Sequence, residues 1–223
     1  MPSRAIASRA GAARRTVGVQ TPHAEAGQRI GLLGGSFNPP HAAHRLISET
    51  ALKRLGLDRL WWIVTPGNPN KSQSELLPLA TRVALCQALA DDRRIEVTDF
   101  EKDLDTAYTA ATLSFLRNRY REVQFVWIMG ADNLASFHRW RQWRMIFRTM
   151  PIAVVDRPGW RLKSAASPAA RAFQSSRIAE IEARTVPGRK PPAWVFLGGP
   201  LSPLSSTAIR RQRGLMWPPG IKS

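Results

Sequence analysis

The sequence predicts a doubly wound parallel α/β sheet, Rossmann-like, with helices on both faces. Three observations predict it: short apolar runs recur along the chain, segments with helical spacing separate them, and loops rich in glycine or proline follow most of the runs. Apolar runs without alternation suit strands buried on both faces, and their alternation with helices suits parallel pairing. In such sheets ligands bind beyond the carboxyl ends of the strands, near the point where strand order reverses.

The elements follow in order. "RIGLLGG", residues 29–35, reads as a buried strand, and a helix follows from about His41 to Leu55. "LWWIVTP" is a second strand, ending at Pro66. Leu79, Val83, Cys86 and Ala90 recur at intervals that fall on one helix face. "RIEVTD" is a short strand, and Thr109, Leu113, Leu116 and Tyr120 again show helical spacing. "VQFVWIMG" is a long apolar run ended by glycine, and "FHRWRQWRMIF" reads as one helix with Phe137, Trp140, Arg144 and Phe147 on one side. "IAVV" and "AWVFLGG" are further strands, with a basic helix over 168–184 between them, and "SSTAIRRQR" closes the series as a helix.

Residues 1–28 are rich in Ala, Arg, Ser and Gly and lack apolar periodicity, so they read as a disordered basic leader. Residues 29–214 make the folded domain, and 215–223 an irregular tail. The chain carries 33 Lys plus Arg against 16 Asp plus Glu, a net +17, which attracts polyanions or small phosphorylated molecules. No apolar run approaches the ~18 residues that span a bilayer. The single cysteine, Cys86, excludes an internal disulfide and fits a reducing, cytoplasmic setting.

The loops after the strands carry the chemistry: "GGSFNPPHAAH", "TPGNPNK", "MGADNL" and "GGPLSPLSST". In the first, Gly34 and Gly35 allow a tight turn and close approach of a ligand, and Pro39 and Pro40 suit entry to a helix. His41 and His44 share the first helical turn, where free N–H groups and the helix dipole favour an anion. A two-histidine metal site is the rival reading, but a structural zinc needs four ligands, and His23, Cys86 and His138 lie in unrelated segments. Ordinary helix surface or packing is the bland alternative. In "LSSTAIRR", Ser205 or Ser206 is a candidate N-cap and Arg210 lies one turn on, able to meet an anion bidentately. Two helix N-termini facing one polyphosphate would account for both motifs.

Taken in order, these segments resemble the nucleotidyltransferase superfamily with an H-x-G-H signature. Within it, "TPGNPNK", "YTAATL" and "GADNLASFHRWRQW" resemble bacterial nicotinate-nucleotide adenylyltransferase, and five motifs over about residues 29–213 stand in the family's order. The resemblance implies transfer of the adenylyl group of ATP to nicotinate mononucleotide, giving deamido-NAD and pyrophosphate for NAD biosynthesis. It implies direct in-line attack with no covalent enzyme intermediate. On the ATP side it implies Gly34, Gly35, Ser36, Phe37, His41, His44, Ser205, Ser206, Thr207 and Arg210. His41, His44 and Arg210 would be the catalytic set. On the mononucleotide side it implies Asn38, Lys71, Tyr108, Thr109, Asp132 and Trp140, with Trp140 stacked on the pyridine ring. Mg²⁺ would ride mainly on phosphate oxygens. No membrane and no specific nucleic acid are implied as partners. Ala43 stands where the signature has glycine, and "GLMWPPGIKS" is unlike the family's ending. Nicotinamide mononucleotide, phosphopantetheine or flavin mononucleotide are alternative acceptors. A non-catalytic, nucleic-acid-binding role would instead use the basic stretch 157–190, with eight basic and two acidic residues.

Overall fold

A computed structural model of the chain describes residues 18–67, 76–104, 106, 108–199, 204, 206 and 209. Among these residues the strands are β1 (Arg29–Gly35), β2 (Arg59–Val64), β3 (Ile95–Thr98), β4 (Gln124–Gly130), β5 (Ile152–Val155), β6 (Arg177–Ile178) and β7 (Trp194–Leu197). The helices are α1 (Ala42–Leu55), α2 (Leu79–Leu89), α3 (Thr109–Arg119), α4 (Ala131–Ser136), α5 (Trp143–Thr149), α6 (Arg161–Ala165) and α7 (Pro168–Ala172), with short 3-10 turns between some of them. The strands form one sheet in the order β3-β2-β1-β4-β5-β7-β6, every pair parallel. The chain works outward from β1 to β3, then returns to place β4 on the other side of β1. The order therefore reverses between β1 and β4, and the crevice beyond their carboxyl ends is the place for a ligand.

Alternate strand residues supply two apolar layers. Leu32, Trp61, Ile63, Trp127, Met129 and Val154 face one way, against Leu113 and Leu116 of α3, Leu134 of α4 and Ile146 and Phe147 of α5. Leu33, Trp62, Val64, Ile128, Val155 and Leu197 face the other way, against Ile47, Ala51 and Leu52 of α1 and Cys86 of α2. This two-sided burial explains why the strands read as continuous apolar runs. α1 ends in a left-handed glycine, Gly56 at φ 64°, whose N–H donates to the Leu52 carbonyl.

At the reversal point the sheet interlocks through a glycine. A Cβ on Gly34 would lie 2.4 Å from Cη2 of Trp127 on the neighbouring strand. The missing side chain therefore makes room for an indole, while the backbone stays extended within β1.

Three expectations need correction. Phe137–Phe147 is not one helix: a 3-10 turn spans Phe137–Arg139, Trp140 is extended at ψ 141°, Gln142 is left-handed at φ 55°, and α5 begins at Trp143. The shared side of Phe137, Trp140, Arg144 and Phe147 does not form: Trp143 is buried with Phe147, and the exposed Arg144 lays its guanidinium 4.2 Å over the Trp143 ring. The span 168–184 is also broken. Ser167 caps α7 by accepting from the Ala170 N–H, and a 3-10 turn, the two-residue β6 and a further 3-10 turn (Glu180–Gly188) follow. Finally, residues 18–28 are not wholly leader-like. Val19 is buried in the core, its carbonyl accepts from Arg119 Nη1 at 3.0 Å, and Thr21 and Tyr120 share a short hydroxyl hydrogen bond. An apolar side chain two residues into this segment is enough to dock it beside α3. Residues 1–17, the tail 215–223 and most of the "SSTAIRRQR" segment lie outside the described residues.

The Gly34–Trp127 interlock yields a stability prediction. Gly34→Ala should cost about 1–3 kcal/mol, as overpacking of a tight core does. Urea denaturation measures it, and the loss should shrink when Trp127→Phe is made in the same chain.

Candidate active site

The loop after β1 is held from beneath by an arginine that periodicity alone would place in the wall of α2. Arg82 is 1% exposed and makes no ion pair with a carboxylate among the described residues. Its Nε donates to the Leu77 carbonyl at 2.8 Å and its Nη1 to the Ser36 and Thr65 carbonyls at 2.8 and 2.7 Å; Nη2 donates to Pro66 at 3.1 Å. One guanidinium thus joins the turn after β1 to the turn after β2. Burial pulls its pKa below the usual arginine value. Beside it, burial pushes the Cys86 thiol up to about 12.

Above that clamp the chain turns sharply. Phe37 is left-handed at φ 45°, a strained conformation for a side-chain-bearing residue. Its buried ring stacks on Trp62 at 5.3 Å and touches the His44 ring at 4.7 Å. Asn38 is buried and its Oδ1 accepts the Leu77 N–H at 3.1 Å. His41 is the N-cap of α1 and His44 lies in its first turn, with ring centroids 3.9 Å apart. The His41 N–H donates to Nδ1 of His44 at 3.2 Å, so the mobile proton of His44 sits on Nε2. Trp62 Nε1 donates to Ser48 Oγ at 2.7 Å, and Ser48 donates to the His44 carbonyl at 2.9 Å, fixing this turn against β2. Ala43 is helical and 3% exposed, so its backbone conformation does not require glycine.

Arg157, just past β5, completes this cluster. Its side chain is 12% exposed and its Nε lies 3.8 Å from Oδ1 of Asp132, a buried atom with no hydrogen-bond partner. Gly130 makes room for both, since a Cβ there would lie 2.4 Å from Asp132 Oδ1 and 2.9 Å from Arg157 Cδ. Arg157 Nη2 also donates to the Leu204 carbonyl. Two residues further on, Ser206 Oγ donates to the Pro39 carbonyl at 3.0 Å. The loops after β1, β4 and β5 and the segment near residue 206 therefore meet.

The electrostatics follow. Burial first, then the charge of Arg157, lowers His41 to about 4. Burial, His41 and Arg157 together lower His44 to about 3, against the raising effect of the His41 backbone bond. Both imidazoles are neutral at pH 7. The Nδ1 of His41 is buried without a partner. Among the described residues, no three His, Cys, Asp or Glu side chains come together as a metal would require. Two neutral imidazoles that can donate N–H groups and a guanidinium at a helix N-terminus suit an anion.

A second group stands around α3. Tyr108 is its N-cap and Thr109 its first residue, and the Arg141 guanidinium lies 4.4 Å over the Tyr108 ring. Trp140 packs on Phe137 at 4.9 Å. Glu101, whose carboxyl is raised by burial, accepts from Thr112 Oγ1 at 2.6 Å and braces the same helix.

The chain matches the cytidylyltransferase-like family model over residues 32–212. It is 58% identical over 181 residues to a probable nicotinate-nucleotide adenylyltransferase of Rhizobium meliloti, covering 81% of this chain and 96% of that protein. The chain belongs to the nicotinate-nucleotide adenylyltransferase family. A probable member from Brucella abortus is 53% identical over 182 residues, covering 82% of this chain and 94% of its own. The nicotinic acid mononucleotide adenylyltransferase of Plasmodium falciparum, solved with NaAD, superposes with a TM-score of 0.63 at 16% identity, over 82% of this chain and 83% of its own. At that identity the likeness shows the fold.

Of the residues that family membership brings into question, Gly34, Gly35, Ser36, Phe37, Asn38, His41, His44 and Ser206 lie around one loop cluster, with Asp132 linked to it through Arg157. Tyr108, Thr109 and Trp140 belong to the second group. Lys71, Ser205, Thr207 and Arg210 lie outside the described residues. Sequence reasoning missed Arg82 and Arg157. Arg157 could have been found as the first cation after the strand "IAVV", since residues past strand ends are the ones placed at the crevice. Of the basic stretch 157–190, Arg157 turns inward, while Arg161 pairs with Asp156 at 2.6 Å, Arg177 covers Trp194 and Arg189 pairs with Glu182, these three remaining exposed.

The depressed histidines set a pH window. The folded chain holds them near 4 and 3 while the unfolded chain titrates near 6.5, so the unfolded state takes up protons first as pH falls. Stability is at its highest with respect to these two groups above about pH 6.5 and falls as pH drops below that value, for His41 down to about 4 and for His44 down to about 3. Proton–carbon NMR of the unliganded protein should show neither ring charged at pH 5.5, and Arg157→Gln should raise both values.

Proposed function

We propose that this chain transfers the adenylyl group of ATP to nicotinate mononucleotide, giving deamido-NAD and pyrophosphate. The observation that carries the reading is the convergence of His41, His44 and Arg157 at one helix N-terminus beyond the strand-order reversal. The names of relatives at 58% and 53% identity supply the substrate pair. The attacking atom is an oxygen of the mononucleotide's 5′-phosphate. It bonds to the α-phosphorus of ATP as the bond from that phosphorus to the bridging oxygen breaks, and the electron pair leaves with pyrophosphate. A phosphate monoester is already nucleophilic near neutral pH, so no side chain need attack, and positioning and charge stabilisation carry the catalysis.

The residues divide accordingly. His44, with its proton on Nε2, donates to a phosphate oxygen, and His41 stands beside it. Arg157 supplies the fixed positive charge that two neutral imidazoles lack. Gly34, Gly35, Ser36 and Phe37 shape the ATP side, and Ser205, Ser206, Thr207 and Arg210 take the outer phosphates. Asn38, Lys71, Tyr108, Thr109, Asp132 and Trp140 take the mononucleotide. Mg²⁺, if carried in with the triphosphate, would offset phosphate charge beside Arg157 and the two histidines; the described residues group no three His, Cys, Asp or Glu that could hold it. A cytoplasmic setting suits the free, buried Cys86.

Purified protein with ATP, Mg²⁺ and nicotinate mononucleotide should release pyrophosphate; release no faster than without protein overturns the reading. His44→Ala should lower kcat by roughly 10²–10³, the usual effect of removing one preorganised donor, with unchanged circular dichroism. ATP should also bind more tightly as pH falls from 6.5 to 5, because an anion raises the histidine pKa values and binding then takes up protons. Isothermal titration at several pH values checks this.

A further inference from the structure

We infer that Arg82 is a positioning residue for the reaction: by holding the carbonyls of two turns from the inside, it aims two backbone N–H groups, those of Phe37 and Gly67, toward the crevice; this rests on the adenylyl-transfer reading above. A trans peptide unit is planar, so its N–H points opposite its C=O. The Ser36–Phe37 and Pro66–Gly67 bonds are both trans. Arg82 Nη1 donates to the Ser36 carbonyl at 2.8 Å and Nη2 to the Pro66 carbonyl at 3.1 Å. The N–H groups of Phe37 and Gly67 are therefore turned to the side away from Arg82. Arg82 is 1% exposed, so its own side of the turns is the interior and the opposite side leads outward. Neither N–H meets an acceptor among the described residues. Phe37 is buried and Gly67 half-buried, and an amide without a partner in such a place is a donor open to a ligand.

The aim is held rigidly. Bonds from Nη1 to the Thr65 carbonyl at 2.7 Å and from Nε to the Leu77 carbonyl at 2.8 Å stop the guanidinium from turning. The Leu77 N–H in turn donates to Asn38 Oδ1 at 3.1 Å, so the turn after β1 is tied to Leu77 as well. Phe37 is left-handed at φ 45°, a conformation that persists where neighbours over-determine it, and its ring is stacked on Trp62. Packing alone does not ask for an arginine here. Leu79, Val83 and Cys86 of the same helix join the apolar layer, whereas Arg82 gives up water for carbonyls that orient it without neutralising it. That cost has a use where donors must be aimed before substrate arrives, because preorganised N–H groups stabilise developing charge without reorganising.

The test compares the full chain with its Arg82→Lys, Arg82→Met and Arg94→Gln variants, using ATP, Mg²⁺ and nicotinate mononucleotide well below each melting temperature. Lysine keeps the charge and methionine the bulk, but neither can hold two turns at once. Both should lose roughly 10²-fold in kcat, as misplaced reacting groups do, with either KM within about threefold of wild type. A residue that only braces the fold would lower the melting temperature and leave kcat of the folded protein unchanged. Arg94→Gln, which breaks a surface pair with Asp92, should match wild type. In wild-type NMR spectra the Phe37 and Gly67 amide protons should move downfield on saturation with ATP or deamido-NAD. The Arg82 Nη1 protons should move with them, because a ligand on the Phe37 N–H polarises the Ser36 carbonyl they meet. If neither Arg82 variant folds, these wild-type spectra decide. An active wild type in which any of the three signals stays put, or a folded Arg82→Lys with kcat within about twofold of wild type, overturns the role of Arg82 alone. A wild type inert toward nicotinate mononucleotide overturns the adenylyl-transfer reading and this inference with it.

Discussion

Everything at the carboxyl end of the sheet rests on one buried cation. Arg82 leaves water almost completely and meets four carbonyl oxygens in place of a carboxylate. Taking a guanidinium out of water is costly, and only a set of well-aimed acceptors offsets it. Those acceptors lie on turns that have no regular structure of their own. The turns after β1 and β2 therefore cannot wander independently: moving either strands a charge in the protein interior. A lysine could not do the same, since its ammonium lacks the planar fork that reaches both sides. The strained Phe37 and the histidine pair stand directly on this support.

The same end of the sheet shows how a basic protein builds an anion site without overloading it. Three full positive charges close together would repel one another and destabilise the empty fold. Here Arg157 is the fixed charge, and burial together with its field keeps the two imidazoles uncharged at neutral pH. Asp132 stands close enough to steady Arg157 without the short, direct pairing that would spend its charge. The clearance at Gly130 is what allows the two side chains to lie side by side.

Much of this was legible from residue order. Strands buried on both faces appear as apolar runs, and β1, β2, β4 and β5 fall where those runs fall. The Leu113–Leu116 spacing marked α3 because that helix presents a single stripe to the sheet. Periodicity failed where two helical turns share a stripe but not an axis. Phe137 and Phe147 both face the core, yet Gln142 breaks the chain between them, and nothing in the identity of a glutamine announces a left-handed backbone. The 168–184 segment failed for a related reason: β6 is two residues long and owes its existence to β7, not to its own composition. Arginines are the hardest to read. Arg82 sits in a helix whose other polar residues face water, and Arg157 begins a basic stretch, so both resemble surface residues until their partners are seen. At the site, the order of the loops and the residues in them were readable, while the division into a histidine cluster and an aromatic group came only with the contacts.

The hydrogen bond from Ser206 to the Pro39 carbonyl spans 167 residues. Contacts of such long range form late, because loop closure must precede any gain from them. During synthesis the strand and histidine helix that begin the sheet emerge early and must wait, their crevice unfinished, until residues beyond β7 have left the ribosome. A nascent chain can therefore build most of its core before the loop after β1 gains its last contact. Assembly of the scaffold and completion of the site are separated in time by the topology itself.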